Sequence, residues 1–183
     1  MAPSLHVRLN GAAPPVAPAA AAALSPAFTP EVRRWEQSIF RWSTESSLPP
    51  ALIATVMQIE SCGDPRARSH AGAQGLFQVM PFHFQTGEDA GDPDTNALRG
   101  LAYLARALEL SQGRVDLALA GYNGGLSRIS QAPSSWPAET QRYVAWGSAI
   151  YAEITEGLPA SPALRAWLEA GGARLCRAAA QAP

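Results

Sequence analysis

Apolar residues recur at three- and four-residue spacing along most of this chain, the period of helices that bury one face. The first stripe is Val32, Trp35, Ile39 and Trp42. It follows Thr29–Pro30–Glu31, where a threonine N-cap, a proline at the first helical position and an early acid form a helix start. Ser47 to Pro50 ends that helix. A second is expected from about Pro50 to Ser61, around Ile53, Val56 and Met57. A third is read over Thr95 to Ser111, with Leu98, Leu101, Leu104, Ala105 and Leu108 on one side. A fourth runs from Val115 to Tyr122 and is closed by Gly124 and Gly125. Glu139 to Thr155 carries Tyr143, Trp146, Ile150 and Ile154. Pro162 to about Arg177 carries Leu164, Trp167, Leu168 and Leu175 and is weakened by Gly171 and Gly172. Cys62 to Ala73 reads as loop, Glu88 to Asp94 as an acidic turn region and Ser134 to Pro137 as a turn. Gly75 to Met80 is apolar but too short to separate helix from strand. The expected fold class is mainly α, with little or no β-sheet.

Composition changes this picture at the N-terminus. In residues 1–29, Pro14, Pro15, Pro18 and Pro26 interrupt an alanine-rich run. Proline blocks a continuous helix, and alanine offers little apolar area to bury. This stretch is expected to be a flexible leader, with the folded domain at 30–183. Val16 to Leu24 is short, mostly alanine and broken by Pro18, so no secretory signal is read there.

The remaining 183-residue arithmetic mostly excludes. A mass of 19.3 kDa suits one domain with a sizeable core. The hydrophobic share of 47% excludes a fully disordered chain. A net charge of −1 argues against a strongly basic nucleic-acid binder. No run approaches the length of a membrane span. All 14 basic residues are arginine, which we read as compositional bias. The three histidines, His6, His70 and His83, are scattered, so neither metal nor cofactor is expected. The two cysteines, Cys62 and Cys176, lack zinc-type spacing and leave two possibilities open, one bridge or two free thiols.

One carboxylate stands where an apolar residue belongs. Ile53, Val56 and Met57 occupy i, i+3 and i+4 of the second helix, and Glu60 is i+7. Its side chain should project towards the core. Burial disfavours the charged form, and a glutamate that stays protonated near neutral pH can donate a proton to a leaving group. The alternative is a helix-end glutamate bent to water or paired with Arg66 or Arg68. Gln78 brings a donor and an acceptor into an apolar segment. Such a group suits a site that reads sugar hydroxyls and acetamido groups, or else bonds to its own loop backbone. Met80 fits core filling as well as ligand contact.

These residues, with others downstream, carry a resemblance. Glu60–Ser61, then Ser69, then Gly72 to Pro81 (GAQGLFQVMP) resemble the first two motifs of soluble lytic transglycosylases of the goose-lysozyme-like superfamily. Ala120–Gly121–Tyr122–Asn123–Gly124–Gly125 resembles the third motif, and Glu139–Thr140–Gln141–Arg142–Tyr143–Val144 the fourth. Asn96 and Gly100 fit the connecting helix. Each motif alone is weak, but the four stand in order across residues 48–150. Phe77 replaces a methionine common in the second motif, Gly124–Gly125 stands where alanine–glycine is frequent, and Cys62 beside the acid is unusual. Residues 80–96 do not align.

The resemblance implies a lysozyme-like α-helical fold around a glycan groove. It implies cleavage of the β-1,4 bond between N-acetylmuramic acid and N-acetylglucosamine in peptidoglycan, leaving a 1,6-anhydromuramoyl end. Glu60 would be the sole acid/base, and the substrate's own acetamido group would stabilise the cationic intermediate. Ser69 would face the reacting sugar, and Gln78 and Met80 would line the groove. Tyr122 and Tyr143 would supply hydroxyls near the acid and stack on sugar faces. Asn123 is a substrate contact or a helix C-cap, and Glu139 a substrate contact or an acid favoured at a helix start. The partner implied is the peptidoglycan strand, acted on by a monomer in the periplasm, cell envelope or extracellular space. Two rivals stand beside this reading. One is a hydrolytic goose-type muramidase with Asp89 or Asp92 as helper; the other is a non-catalytic glycan-binding cell-wall or virion protein. A Cys62–Cys176 bridge would pin the C-terminal segment beside the site.

Overall fold

The computed structural model describes residues 23–182. Eight α-helical segments follow one another: α1 (Pro30–Arg33), α2 (Glu36–Ser46), α3 (Pro50–Glu60), α4 (Pro93–Leu110), α5 (Val115–Gly124), α6 (Ala138–Thr155), α7 (Pro162–Trp167) and α8 (Ala173–Ala179). Among the described residues there is no named strand. Only the isolated bridges Arg68–Gln74 and Gln74–Val79 occur, and they fold residues 68–79 into a tight double turn.

The helix boundaries have local causes. Proline occupies the first turn of α1, α3, α4 and α7, where its missing N–H costs nothing. Asp92 caps α4 by accepting from the Thr95 N–H at 2.8 Å, and Ser161 caps α7 by accepting from Leu164. The single helix expected after Thr29 is instead two, broken at Arg34 and Trp35. Both of those side chains turn to the Gly63 carbonyl, Arg34 Nη2 at 2.8 Å and Trp35 Nε1 at 2.9 Å. Thr29 makes no cap bond; its hydroxyl donates to Gln58 Oε1. The last expected helix is also divided. Gly171 has φ +127°, outside helical space, and separates α7 from α8 through a wide turn at Leu168–Gly172.

The core is centred on α3. Every residue from Leu52 to Ile59 is buried, so this helix has no solvent face. It packs on α1, α2 and α6, while α5 lies between α4 and α6. On α4 the buried positions are Asn96, Ala97, Gly100, Leu101, Leu104 and Ala107. Leu98, expected on the buried side, is 60% exposed. It sits one position off that stripe. Packing begins before residue 30: Leu24 and Phe28 are buried, which moves the start of the folded unit into the stretch read as leader. Residues 1–22, including His6, lie outside the described residues.

Cys62 and Cys176 are joined by a disulfide that links the end of α3 to α8. Around it lies Gln58, whose Nε2 donates to Cys62 Sγ at 3.0 Å. The loop between α3 and α4 is held by two buried polar side chains. Ser61 Oγ donates to the Leu76 carbonyl at 2.8 Å. Asn96 accepts from the Phe77 N–H at 2.9 Å and donates to the carbonyls of Gln74 and Ala90. Gly75 lies against Asn96, where a Cβ would stand 2.3 Å from Nδ2. Because Asn96 belongs to α4, this network fixes the loop against the helix that forms one wall of the site.

Candidate active site

A cleft of about 230 Å³ opens between the loop after α3 and helices α4, α5 and α6. Glu60, the last residue of α3, reaches it from the core side. The side chain is half-buried, and among the described residues no arginine is paired with it. Arg66 instead bonds to Asp64 through its backbone and to the Gln181 carbonyl through Nη2. Tyr143 Oη, from α6, donates to Glu60 Oε1 at 2.7 Å. Loss of water around Glu60 pushes its pKa up to about 8; the Tyr143 hydrogen bond opposes this, and the nearby Glu139 carboxylate reinforces it. Burial, then the proximity of Glu60, hold the hydroxyls of Tyr122 and Tyr143 well above the usual tyrosine range. Both stay neutral donors.

The expected site residues mostly converge. Ser69, Gln78, Met80, Tyr122, Asn123 and Glu139 line the same cleft as Glu60. Their bonds correct several details. Tyr122 Oη donates to the Phe77 carbonyl at 2.7 Å, so its hydroxyl is already used. Tyr143 does not line the cleft; it supports the acid from behind rather than offering a face for stacking. Gln78 Nε2 donates to the carbonyls of Ala67 and Gly75, the loop-backbone alternative, while the residue still borders the cleft. Asn123 lies inside α5 and accepts from Thr140 Oγ1, so it is no C-cap; Gly125, at φ +91°, ends that helix. Asp89 and Asp92 are taken up by Gly91 and Thr95 and stand outside the cleft.

Three lining side chains were not singled out for the site by the sequence: His83, Arg99 and Tyr103. Arg99 and Tyr103 are one turn apart on α4 and flank Gly100, so the helical period past the Gly100 position was the available signal. His83, alone in a segment that does not align, carried none.

The loop after α3 and helices α4, α5 and α6 thus close a cleft around one desolvated carboxyl group. The chain matches the Transglycosylase SLT domain family over residues 37–144, more than half of its length, and belongs to that family. A transglycosylase of Enterobacteria phage PRD1 is 37% identical over 112 residues, which cover 60% of this chain and 40% of the phage protein. Membrane-bound lytic murein transglycosylase F of Desulfosudis oleivorans is 36% identical over 92 residues, covering 44% of this chain and 20% of that protein. The chain thus spans less than half the length of the curated relatives it matches. Among solved structures, an inactive mutant of lytic transglycosylase Slt from Pseudomonas aeruginosa superposes with a TM-score of 0.59 at 24% identity, over 74% of this chain and 26% of that one. The 70-kDa soluble lytic transglycosylase of Escherichia coli gives 0.57 at 22% identity, over 70% and 25%. These two share the fold.

Proposed function

We propose that this protein is a peptidoglycan lytic transglycosylase that works with Glu60 as its one acid and base. The observation that carries the reading is the environment of Glu60: a carboxyl kept uncharged near neutral pH, facing a cleft, with one oxygen held by Tyr143. The Tyr143 bond occupies Oε1 and leaves Oε2 to carry the acid proton towards substrate. That proton passes to the glycosidic oxygen as the bond from the muramoyl C1 to that oxygen breaks, and the N-acetylglucosamine hydroxyl leaves. Glu60, now charged, takes the proton of the muramoyl C6 hydroxyl, and the C6 oxygen bonds to C1. The acid is restored and no water is consumed.

Two-carboxylate glycosidases position a second acid for water or for a covalent intermediate. Asp89 and Asp92 serve the loop and the cap of α4 instead. Glu139 is the second carboxylate bordering the cleft, exposed at the start of α6, and it favours a second reading in which it assists water. Ser69, Met80 and Asn123 would contact the glycan, as would the free oxygen of Gln78, with Tyr122 as wall. The place of action would be the periplasm or cell envelope, where a disulfide persists.

Mass analysis of the products from purified cell wall separates the readings. Anhydromuramoyl ends are expected; reducing ends would select hydrolysis with Glu139. Glu60→Gln should cost at least about 10²–10⁴ in rate, the range of general acid–base catalysis, with glycan binding kept. Cleavage at the wild-type rate by that variant would remove Glu60 from the mechanism, whereas no product from either chain would leave a binding protein.

A further inference from the structure

The cleft does not end where the acid's own neighbours end. A chain of aromatic rings leads outward from it. Tyr122, within electrostatic reach of Glu60, has its ring centroid 5.9 Å from that of Tyr103. Tyr103 lies 4.8 Å from His83, and His83 lies 4.5 Å from Phe82. The interplanar angles of 59°, 51° and 47° give a tilted series rather than a closed stack. Tyr122, Tyr103 and His83 all border the cleft. Phe82 is the outer end and is 75% exposed, the largest exposure among the large apolar side chains described. An isolated surface phenylalanine would mean little. This one continues a ring series that starts beside the acid, and the short turn Pro81–His83 holds it there.

The polar group beside the series limits what it can bind. Arg99, one turn before Tyr103 on α4, also borders the cleft. Its Nε donates to Glu88 Oε2 at 2.8 Å and its Nη2 to Glu88 Oε1, while Glu88 also accepts from the Gln85 N–H. The pair fastens the loop at 85–88 to α4. The carboxylate also balances the charge of the guanidinium, so the pair as a whole attracts an anion less than a lone arginine would. Aromatic faces beside an ion pair of no net charge suit a neutral ligand that has apolar ring faces and polar edges. Pyranose rings have that character; the carboxylates of a peptide do not.

We infer that Phe82, His83 and Tyr103, with Arg99 at their side, form a saccharide-binding strip that holds sugar units of the same glycan strand beyond the bond being cut. The inference rests on the transglycosylase reading above. It assigns a role to residues 81–103 in strand-length preference: long strands engage the strip and short fragments do not. Phe82 and His83 lie in the segment that does not align with the family motifs, whereas Arg99 and Tyr103 belong to the connecting helix that does.

The test uses Glu60→Gln full-length protein and N-acetylglucosamine oligomers of increasing length, with affinities measured by titration calorimetry. The parent should bind more tightly as the oligomer lengthens. In Glu60→Gln carrying Phe82→Ala and His83→Ala, that gain should shrink roughly tenfold, the scale of one or two lost aromatic contacts. Phe82→Tyr should keep it. Both substituted side chains are in an exposed turn, and circular dichroism shows whether the fold survives. An undiminished gain with length in the double variant overturns the strip. A gain that appears only with peptide-bearing strands overturns the sugar as its occupant. Failure of the parent to bind any oligomer, together with the absence of anhydromuramoyl products from the wild type, overturns the transglycosylase reading itself. Anhydromuramoyl products with an unaltered length gain in the double variant overturn the strip alone.

Discussion

The proton on Glu60 is set by neighbours of opposite sign. Desolvation and Glu139 favour the neutral acid, Tyr143 favours the charged one, and the balance lies at about 8. The uncharged form is the one that protonates a leaving oxygen, so kcat/KM should fall as pH rises through the pKa of the free enzyme. Tyr143→Phe removes a hydrogen bond to the charged form and should move that alkaline limb to higher pH by about one to two units, since such a bond is worth roughly 1.5–3 kcal/mol. Glu139→Gln removes a repelling charge and should move it to lower pH, by less, because Glu139 is exposed and screened. Opposite displacements in the two pH–rate profiles are the expected outcome; displacement in one direction by both would break the proposed control of Glu60. At this scale the sequence was legible where one residue contradicted its surroundings. Glu60 stood out as a carboxylate on an apolar stripe. Its partner Tyr143 lies 83 residues away, and nothing local in the chain pairs them; only the motif resemblance brought Tyr143 forward. Gln78 was visible as a misplaced amide, but its partners Ala67 and Gly75 depend on a turn that hydropathy does not encode.

Helices expose their period in sequence, and most of them were legible for that reason. The break between α1 and α2 was not, because it depends on Arg34 and Trp35 reaching the Gly63 carbonyl from a different part of the chain. The full burial of α3 was hidden too: a stripe of Ile53, Val56 and Met57 suggests one buried face, whereas neighbours on every side bury them all. Gly100 shows an element bound to the site by packing. A Cβ there would stand 2.6 Å from Phe77 Cβ, 3.1 Å from Val79 Cγ2 and 3.2 Å from Tyr122 Oη. In a free helix, glycine to alanine stabilises by about 1 kcal/mol. In this contact the added methyl overpacks at a cost of about 1–3 kcal/mol. Gly100→Ala should therefore lower stability by up to about 2 kcal/mol in urea unfolding and loosen the bond of Tyr122 to the Phe77 carbonyl. A more stable variant would show that α4 shifts away from the loop freely, and the cleft wall would then be softer than the packing indicates.

The whole molecule is closed by one covalent tie. Cys62 and Cys176 stand 114 residues apart, and sequence left them equally open to pairing or freedom because pairing depends on where α8 docks. The bridge lies two residues past Glu60, yet α3 is also held by buried contacts along its whole length. These two anchors predict different consequences on removal. If the bridge mainly restricts the unfolded chain, its loss costs about 4–5 kcal/mol in the chain-entropy model, a fall in Tm of roughly 10–20 °C for a domain of this size. The core would still place Glu60, so activity at 25 °C should persist in the Cys62→Ala, Cys176→Ala double variant. Both sulfurs are buried, which makes this variant a cleaner test than added reductant, since exchange needs access to the sulfur. Thermal melts and assays of the same preparation separate the alternatives. Loss of activity in a variant still folded at the assay temperature would mean that the bridge positions the acid, and that α3's burial alone does not hold Glu60 at the cleft.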